Sequence, residues 1–251
     1  MAGRLPSGAA IRAFETIDST SLEAKRCVAA GEGGPLWITA GRQTAGYGRR
    51  GAAWRQSEGD IAASFLFSTP APADRIGQLS YVAGLAAAAA IARFARDDTA
   101  VALKWPNDVL LGGGKVAGLL LELATTTDEA RVIIFGLGVN IVSKPEIEDY
   151  ETARLVDRVA GDPPGVEEFI AVVDAQFEAL HRLWLEQGFA PIREAWTAQA
   201  TGIGAPATAR LPDRTITGVF TGVDDAGALV LETETGVETI AAGAVFFPPK
   251  R

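Results

Sequence analysis

The chain reads as an α+β protein in which a mixed sheet carrying several helices is followed by a small β-barrel at the C-terminal end. Three observations predict this. Apolar strand-like runs and helical patterns interleave irregularly as far as residue 204; Thr201-Gly202-Ile203-Gly204 then marks a boundary; beyond it five short strands follow one another at regular turn intervals. The expected division is 1–204 and 205–251. A length of 251 residues with 48% apolar composition suffices for one large core with a small domain attached. A barrel of about 45 residues has a marginal core of its own and needs support from its neighbour.

In chain order, Asp18-Ser19-Thr20-Ser21 opens a helical pattern through Leu22, Lys25, Arg26 and Val28 that stops at Gly31. Thr20 and Glu23 have capping-box spacing, so these hydroxyls satisfy orphan helix N–H groups, and a spare hydroxyl there also suits a polar ligand. Strands are expected at 36–40, 61–68 and 101–104, with an alanine-rich buried helix at 78–96 between the last two. Segments 109–111 and 116–123 flank Gly112-Gly113-Gly114 as a hairpin, and 131–139 is a further strand. Apolar residues at helical spacing define a helix over 166–187, Gly188 ends it, and Pro191 begins another that runs to about Ala200. The barrel strands are expected at 207–211, 215–223, 228–232, 237–241 and 244–247.

Composition narrows the function. A net charge of −8 argues against a surface that neutralises nucleic-acid phosphates, so an anion site must be local. The single cysteine, Cys27, forms no internal disulfide, and the single histidine, His181, leaves too few ligands for zinc. His181 reads as a solvated helix residue. The first 14 residues lack the apolar run of a signal peptide, and the longest apolar stretch, Leu79 to Ala92, is shorter than the ~20 residues that span a bilayer. A cytoplasmic protein with no membrane or nucleic-acid partner is expected.

The stretch with most chemistry is Gln43-Thr44-Ala45-Gly46-Tyr47-Gly48-Arg49-Arg50-Gly51-Ala52-Ala53-Trp54. Its glycines allow close backbone approach to a ligand, and its adjacent arginines supply permanent positive charge beside the exposed N–H groups. Such a loop is either a solvated turn or an anion cradle. Two other stretches favour the cradle. In Lys104-Trp105-Pro106-Asn107-Asp108 the proline interrupts the ladder and turns Asn107 and Asp108 into a cleft, and Gly136-Leu137-Gly138-Val139-Asn140 ends a strand on two glycines. Lys115 and Gly118 start the second hairpin strand, so the three glycine-marked stretches are expected on one face of the sheet.

Together these stretches resemble the biotin–protein ligase family (biotin–[acetyl-CoA-carboxylase] ligases) over nearly the whole chain. The shared motifs, in the family's order, are Ser19-Thr20, Gln43 with Gly46 to Gly51, Lys104 to Asp108, Lys115 to Gly118 and Gly136 to Asn140. The resemblance implies a class II synthetase-like catalytic domain with an SH3-like C-terminal barrel. It also implies a two-step reaction: biotin and ATP give biotinyl-5′-AMP, and a lysine on the biotin carboxyl carrier domain of a biotin-dependent carboxylase takes the biotinyl group. Carboxylate attack on a phosphate brings like charges together, so Mg²⁺ and fixed cations are needed.

By the same resemblance, Arg49, Lys115 and Asp108 are catalytic, and Asp108 is the Mg²⁺ contact. Ser19, Thr20, Gln43, Gly46, Tyr47, Lys115, Gly118 and Gly138 would hold biotin, its apolar ring and chain lying on the glycines. Gly48, Arg49, Arg50, Trp54, Lys104, Asn107 and Asn140 would hold the nucleotide, Trp54 by stacking on the base. The sequence departs from the pattern where Tyr47 and Ala52 replace usual arginines and Ser21 replaces a usual asparagine. There is no room before Asp18 for the helix-turn-helix of some relatives, so the enzyme without the repressor is expected. A lipoate ligase would carry Arg-Arg-x-x-Gly-Gly-Gly and a His-Asp pair, which are lacking. A non-catalytic sensor would not need Arg49, Lys115 and Asp108 together. An exposed sheet edge would serve either a homodimer or the carrier complex.

Overall fold

The computed structural model describes residues 4–126, 130–147 and 150–247. Strands β1 (Ala10–Ile17), β2 (Leu36–Gln43), β3 (Ile61–Thr69), β4 (Val101–Lys104), β5 (Asp108–Leu111), β6 (Gly114–Thr126) and β7 (Arg131–Val139) form one mixed sheet in the order β1-β2-β3-β7-β6-β5-β4. Only the β1–β2 pair is parallel. Because successive side chains of a strand point to opposite faces, the sheet sorts its apolar residues into two layers. Ile38, Leu66 and Ile134 pack with Ala24 and Cys27 of helix α1 (Thr20–Ala29), whereas their neighbours Trp37, Phe65 and Phe135 face a larger core on the other side.

That larger core is closed by α2 (Leu79–Phe94), α3 (Val166–Gln187) and α4 (Ala190–Gln199). Trp37 stacks on Phe65 at 4.7 Å between centroids, and Phe135 stacks on Phe177 of α3 at 5.8 Å. Fully buried Asp174 is satisfied by Trp37 Nε1 at 2.8 Å, the Ser7 amide at 2.9 Å and Ser7 Oγ at 2.6 Å. The apolar segment Ala73–Phe94 has the composition of a membrane span, but 72% of its most apolar window is buried within the chain, as in a core helix.

Strands β8 (Pro206–Arg210), β9 (Thr215–Val223), β10 (Leu229–Thr233), β11 (Gly236–Ile240) and β12 (Ala244–Phe246) form a second, antiparallel sheet in the order β11-β10-β9-β8-β12. Its interior residues, among them Ala209, Phe220, Leu231 and Val245, continue the apolar cluster of the main sheet. The expected α+β architecture with a small barrel-like C-terminal unit is thus present.

Four details differ from the sequence reading. Strand β1 was not anticipated. The 78–96 helix begins one residue later, after a 3₁₀ turn over Ala73–Gln78, and ends at Phe94. Ser19, not Thr20, caps α1: it is extended (φ −158°, ψ 137°) and its Oγ accepts from the Leu22 amide at 3.5 Å, which frees Thr20. His181 is not solvated. It sits four residues after Phe177 and three before Trp184, on the apolar stripe of α3, where its ring meets Phe67, Phe177 and Trp184 and its Nε2 lies 3.3 Å from Thr69 Oγ1.

Candidate active site

Helix α1 packs mainly over β2, β3 and β7, so part of that face is left bare over the ends of β5, β6 and β7. A cleft of about 250 Å³ opens there. Its floor is made by alternate rungs in which Gly118 pairs with Gly138 and Leu120 with Gly136. The N-terminus of α1 forms one wall, the hairpin end Lys104 to Asp108 the opposite wall, and residues 243–246 of the C-terminal sheet an upper edge. The glycine-rich loop closes it from above as a short hairpin of its own: Tyr47 bridges Ala53, the Gly48 amide donates to Ala52 O at 2.7 Å, and the Trp54 amide donates to Gly46 O at 3.0 Å. Arg50 at its tip has φ 56° and ψ 25°, a left-handed conformation unusual outside glycine.

At the α1 end, Thr20 donates from its amide (2.8 Å) and Oγ1 (3.2 Å) to Gln43 Oε1. Ser64 Oγ donates to Thr20 Oγ1 at 2.8 Å and lies 3.0 Å from Ser21 Oγ. Gln43 Nε2 is left against Gly46, where an added Cβ would stand 2.7 Å from it and 3.1 Å from Trp54 O, so a side chain at 46 would push Gln43 aside. This end is neutral and rich in hydrogen-bonding groups.

The other end is charged. Lys115 Nζ lies 2.7 Å from Asp108 Oδ1, with both side chains mostly shielded, and 5.2 Å from the Tyr150 ring centroid. Arg49 Nη1 donates to Asn107 Oδ1 and to Gly243 O, each at 3.3 Å, so the loop tip is tied to both sheets. Burial pulls the Arg49 pKa down, with Arg50 adding repulsion and Asp108 opposing, though a guanidinium stays charged at working pH. Burial likewise lowers the Lys104 pKa, Asp108 offsetting it in part and Lys115 adding to it. Three cations facing one carboxylate make this end an anion site.

Ser19, Thr20, Gln43, Tyr47, Gly48, Arg49, Trp54, Lys104, Asn107, Asp108, Lys115, Gly118 and Gly138 therefore line one cleft, as the motifs suggested. Three residues do not. Gly46 stands behind Gln43. Arg50 is exposed and borders a neighbouring cavity of about 400 Å³, which Arg49, Trp105, Pro106 and Asn107 also line. Asn140 is 2% exposed and is not among the residues that line the cleft. At the end of β7 its Nδ2 donates to Ala153 O at 3.1 Å and Lys115 O at 3.4 Å, so it fixes the backbone behind Lys115.

Trp54 lines the cleft from the loop. Its indole rests on the glycine floor: a Cβ at Gly138 would lie 2.2 Å from Trp54 Cε2, and one at Gly118 would lie 3.2 Å from Cζ3. Only glycine at 138 admits the ring. Trp54 thus fills the surface assigned to the apolar part of biotin. The triglycine tip of the β5–β6 hairpin is not among the cleft residues; Gly112 lies beside Arg158 and Gly114 beside Thr152. Residues not singled out in the sequence but present here are Ser64, Tyr150 and Phe246, whose ring takes Arg210 at 4.3 Å and Lys104 at 5.9 Å. Ser64 could have been noticed as a lone hydroxyl in an apolar strand. Phe246 had no such signal, because the C-terminal strands give no hint of what they face.

Residues 14–140 match the profile described as the Biotin/lipoate A/B protein ligase family, and residues 202–247 match the Biotin protein ligase C terminal domain. The chain is 38% identical over 234 residues to a biotin–[acetyl-CoA-carboxylase] ligase of Paracoccus denitrificans, covering 92% of this chain and 97% of that one. It is 34% identical over 212 residues to the bifunctional ligase/repressor BirA of Bacillus subtilis, covering 81% of this chain and 63% of that one. Among solved structures, the biotin protein ligase from Aquifex aeolicus in complex with biotin and ATP superposes with a TM-score of 0.79 at 24% identity, over 95% of this chain and 99% of that one, a likeness of fold.

Proposed function

The chain belongs to the biotin protein ligase family, and from that premise we propose how its cleft divides the work. The enzyme activates biotin with ATP to biotinyl-5′-AMP and then transfers biotin to a lysine of a biotin carboxyl carrier protein. The observation that carries the assignment of roles is the polarity of the cleft, neutral and hydrogen-bonding at Thr20–Gln43 and cationic at Arg49, Lys104 and Lys115. The ureido ring, with one acceptor and two N–H donors, suits the Ser19, Thr20 and Gln43 end. Its carboxylate then points toward the cations, where the phosphates belong.

In the first step a biotin carboxylate oxygen bonds to the α-phosphorus of ATP as the bond to pyrophosphate breaks. Lys115 and Arg49 offset the charge gathered there, and Asp108 orients the Lys115 ammonium. In the second step the carrier lysine, as free amine, attacks the acyl carbon and AMP leaves. Among the described residues no cluster of three or more metal-ligating side chains exists, so a cation held wholly by protein is not supported. The single carboxylate of Asp108 in a phosphate-facing position fits Mg²⁺, which takes one or two carboxylates plus phosphate oxygens. When bound, Mg²⁺ would neutralise phosphate charge.

The reading is tested by exchange of labelled pyrophosphate into ATP. Exchange is expected with biotin and not with lipoate, and Lys115→Ala should lower it about 10²–10³-fold at an unchanged melting temperature. Exchange with lipoate alone would overturn the biotin assignment. None with either acid would leave a sensor, and near-normal exchange in Lys115→Ala would remove Lys115 from the chemistry.

A further inference from the structure

The glycine-rich loop is held over the cleft at two places. Its tip is tied through Arg49 to Asn107 and Gly243 O. Its base is tied through Tyr47, where arginine would be usual. The Tyr47 hydroxyl donates to Glu122 of β6, 3.1 Å from Oε2 and 3.4 Å from Oε1. Glu122 is itself held by Lys25 of α1, whose Nζ lies 2.8 Å from Oε1 and 5.4 Å from the Tyr47 ring centroid. One carboxylate therefore joins the loop, the helix that carries Thr20 and the strand that carries Gly118.

We propose that Tyr47 is a positioning residue that latches the loop shut through Glu122 and Lys25, and so sets how tightly biotin and its adenylate are retained. This rests on the assignment of the cleft given above. The residue type suits the task. A phenol gives one donor to Glu122 without displacing Lys25, and its ring face accepts the Lys25 ammonium; an arginine there would set a second cation against the first. Burial raises the Tyr47 pKa, with Lys25 opposing, so the hydroxyl keeps the proton it donates. Tyr47 touches no reacting atom. Its influence runs through the bridge to Ala53, which sets the path of the loop from Gly46 to Trp54.

Arg49 and Arg50 at the loop tip make tryptic cleavage after them, read by mass spectrometry on the full chain without ligand, a direct report of loop opening. Tyr47→Phe keeps the ring and removes the donor, and it should speed cleavage about tenfold, as expected for losing a hydrogen bond to a charged group. Lys25→Met lies outside the loop and should act in the same direction. Tyr47→Phe combined with Glu122→Ala should be cut no faster than Glu122→Ala alone, because both remove one interaction. In turnover, Tyr47→Phe should raise the KM for biotin by a larger factor than it lowers kcat. Wild-type cleavage in both Tyr47→Phe and Lys25→Met, or multiplicative effects in the double variant, would overturn the latch. The proteolysis needs no substrate, so it reports on the latch even if biotin-dependent exchange fails, and a latch that fails leaves the exchange result standing.

Discussion

Trp54 and biotin cannot both lie on Gly138. The indole stands where a single added methyl group would already clash, and the same glycines are the natural bed for an apolar ring and chain. Trp54 Nε1 is also buried without a hydrogen-bond partner among the described residues, a state that carries a desolvation penalty and is relieved by turning outward. Binding of biotin is therefore expected to displace Trp54 from the floor, bringing it toward the nucleotide side where the family resemblance put it. The displacement is read by intrinsic fluorescence: biotin should change the emission of the wild-type protein, and Trp54→Phe should lose most of that change. An equal change in Trp54→Phe would mean that one of the other tryptophans responds. Neither this placement nor that of Asn140 was legible in the motif. Spacing assigns a residue to a strand end, but which way its side chain turns depends on neighbours such as Ala153 O and the Gly138 surface, which are distant in the sequence.

Helix α3 shows the opposite case, where periodicity carried most of the information. Its apolar residues recur at helical spacing, and the helix spans Val166–Gln187 as that spacing predicts. Glu178, Arg182 and Glu186 around His181 suggest a solvated position, yet Phe177, His181 and Trp184 share the i, i+4, i+7 stripe that faces the core. Strand β1 was missed for a related reason. Ile11, Phe14 and Ile17 recur every three residues instead of alternating, and on an edge strand with both faces partly exposed there is no strict period to find. The burial of His181 has a measurable consequence. Desolvation lowers its pKa to about 4, so the folded state holds it neutral while the unfolded chain, with a pKa of about 6.5, takes up a proton first. The stability from this difference is complete above about pH 6.5 and is lost as the pH falls toward about 4, on the order of 3 kcal/mol in all. His181→Leu should flatten the melting temperature between those limits. A slope equal to wild type would place the acid sensitivity elsewhere.

At the scale of the molecule, the two sheets are joined at the cleft. Residues 243–246 edge it, Arg49 reaches Gly243 O, and the turn between β9 and β10 sits against the start of α2 and against α4: Gln78 Nε2, just before α2, donates to Asp225 O at 3.0 Å, and Arg193 of α4 pairs with Asp225. Tyr81 is the centre of this seat. It is 4% exposed, its hydroxyl donates to Gly227 O, and it accepts from Trp105 Nε1 at 3.1 Å. Trp105 lies between Lys104 and Asn107 on the cleft wall, so one phenol links the C-terminal sheet to the cationic end of the site. The sequence marked Lys104 to Asp108 as functional and the last strands as a separate unit, yet nothing in either stretch pointed to the other, because the link is made by a tyrosine in the first turn of an apolar helix. Tyr81→Phe leaves the Gly227 carbonyl and the Trp105 N–H only their own long 3.5 Å contact in a buried place, which should cost about 1–3 kcal/mol. The loss should fall on the nucleotide side: the melting temperature drops, and the KM for ATP rises by a larger factor than that for biotin. A variant that melts lower but keeps both KM values would show that Tyr81 holds the sheets together without shaping the site. One with equal rises in both would place its influence on the whole cleft.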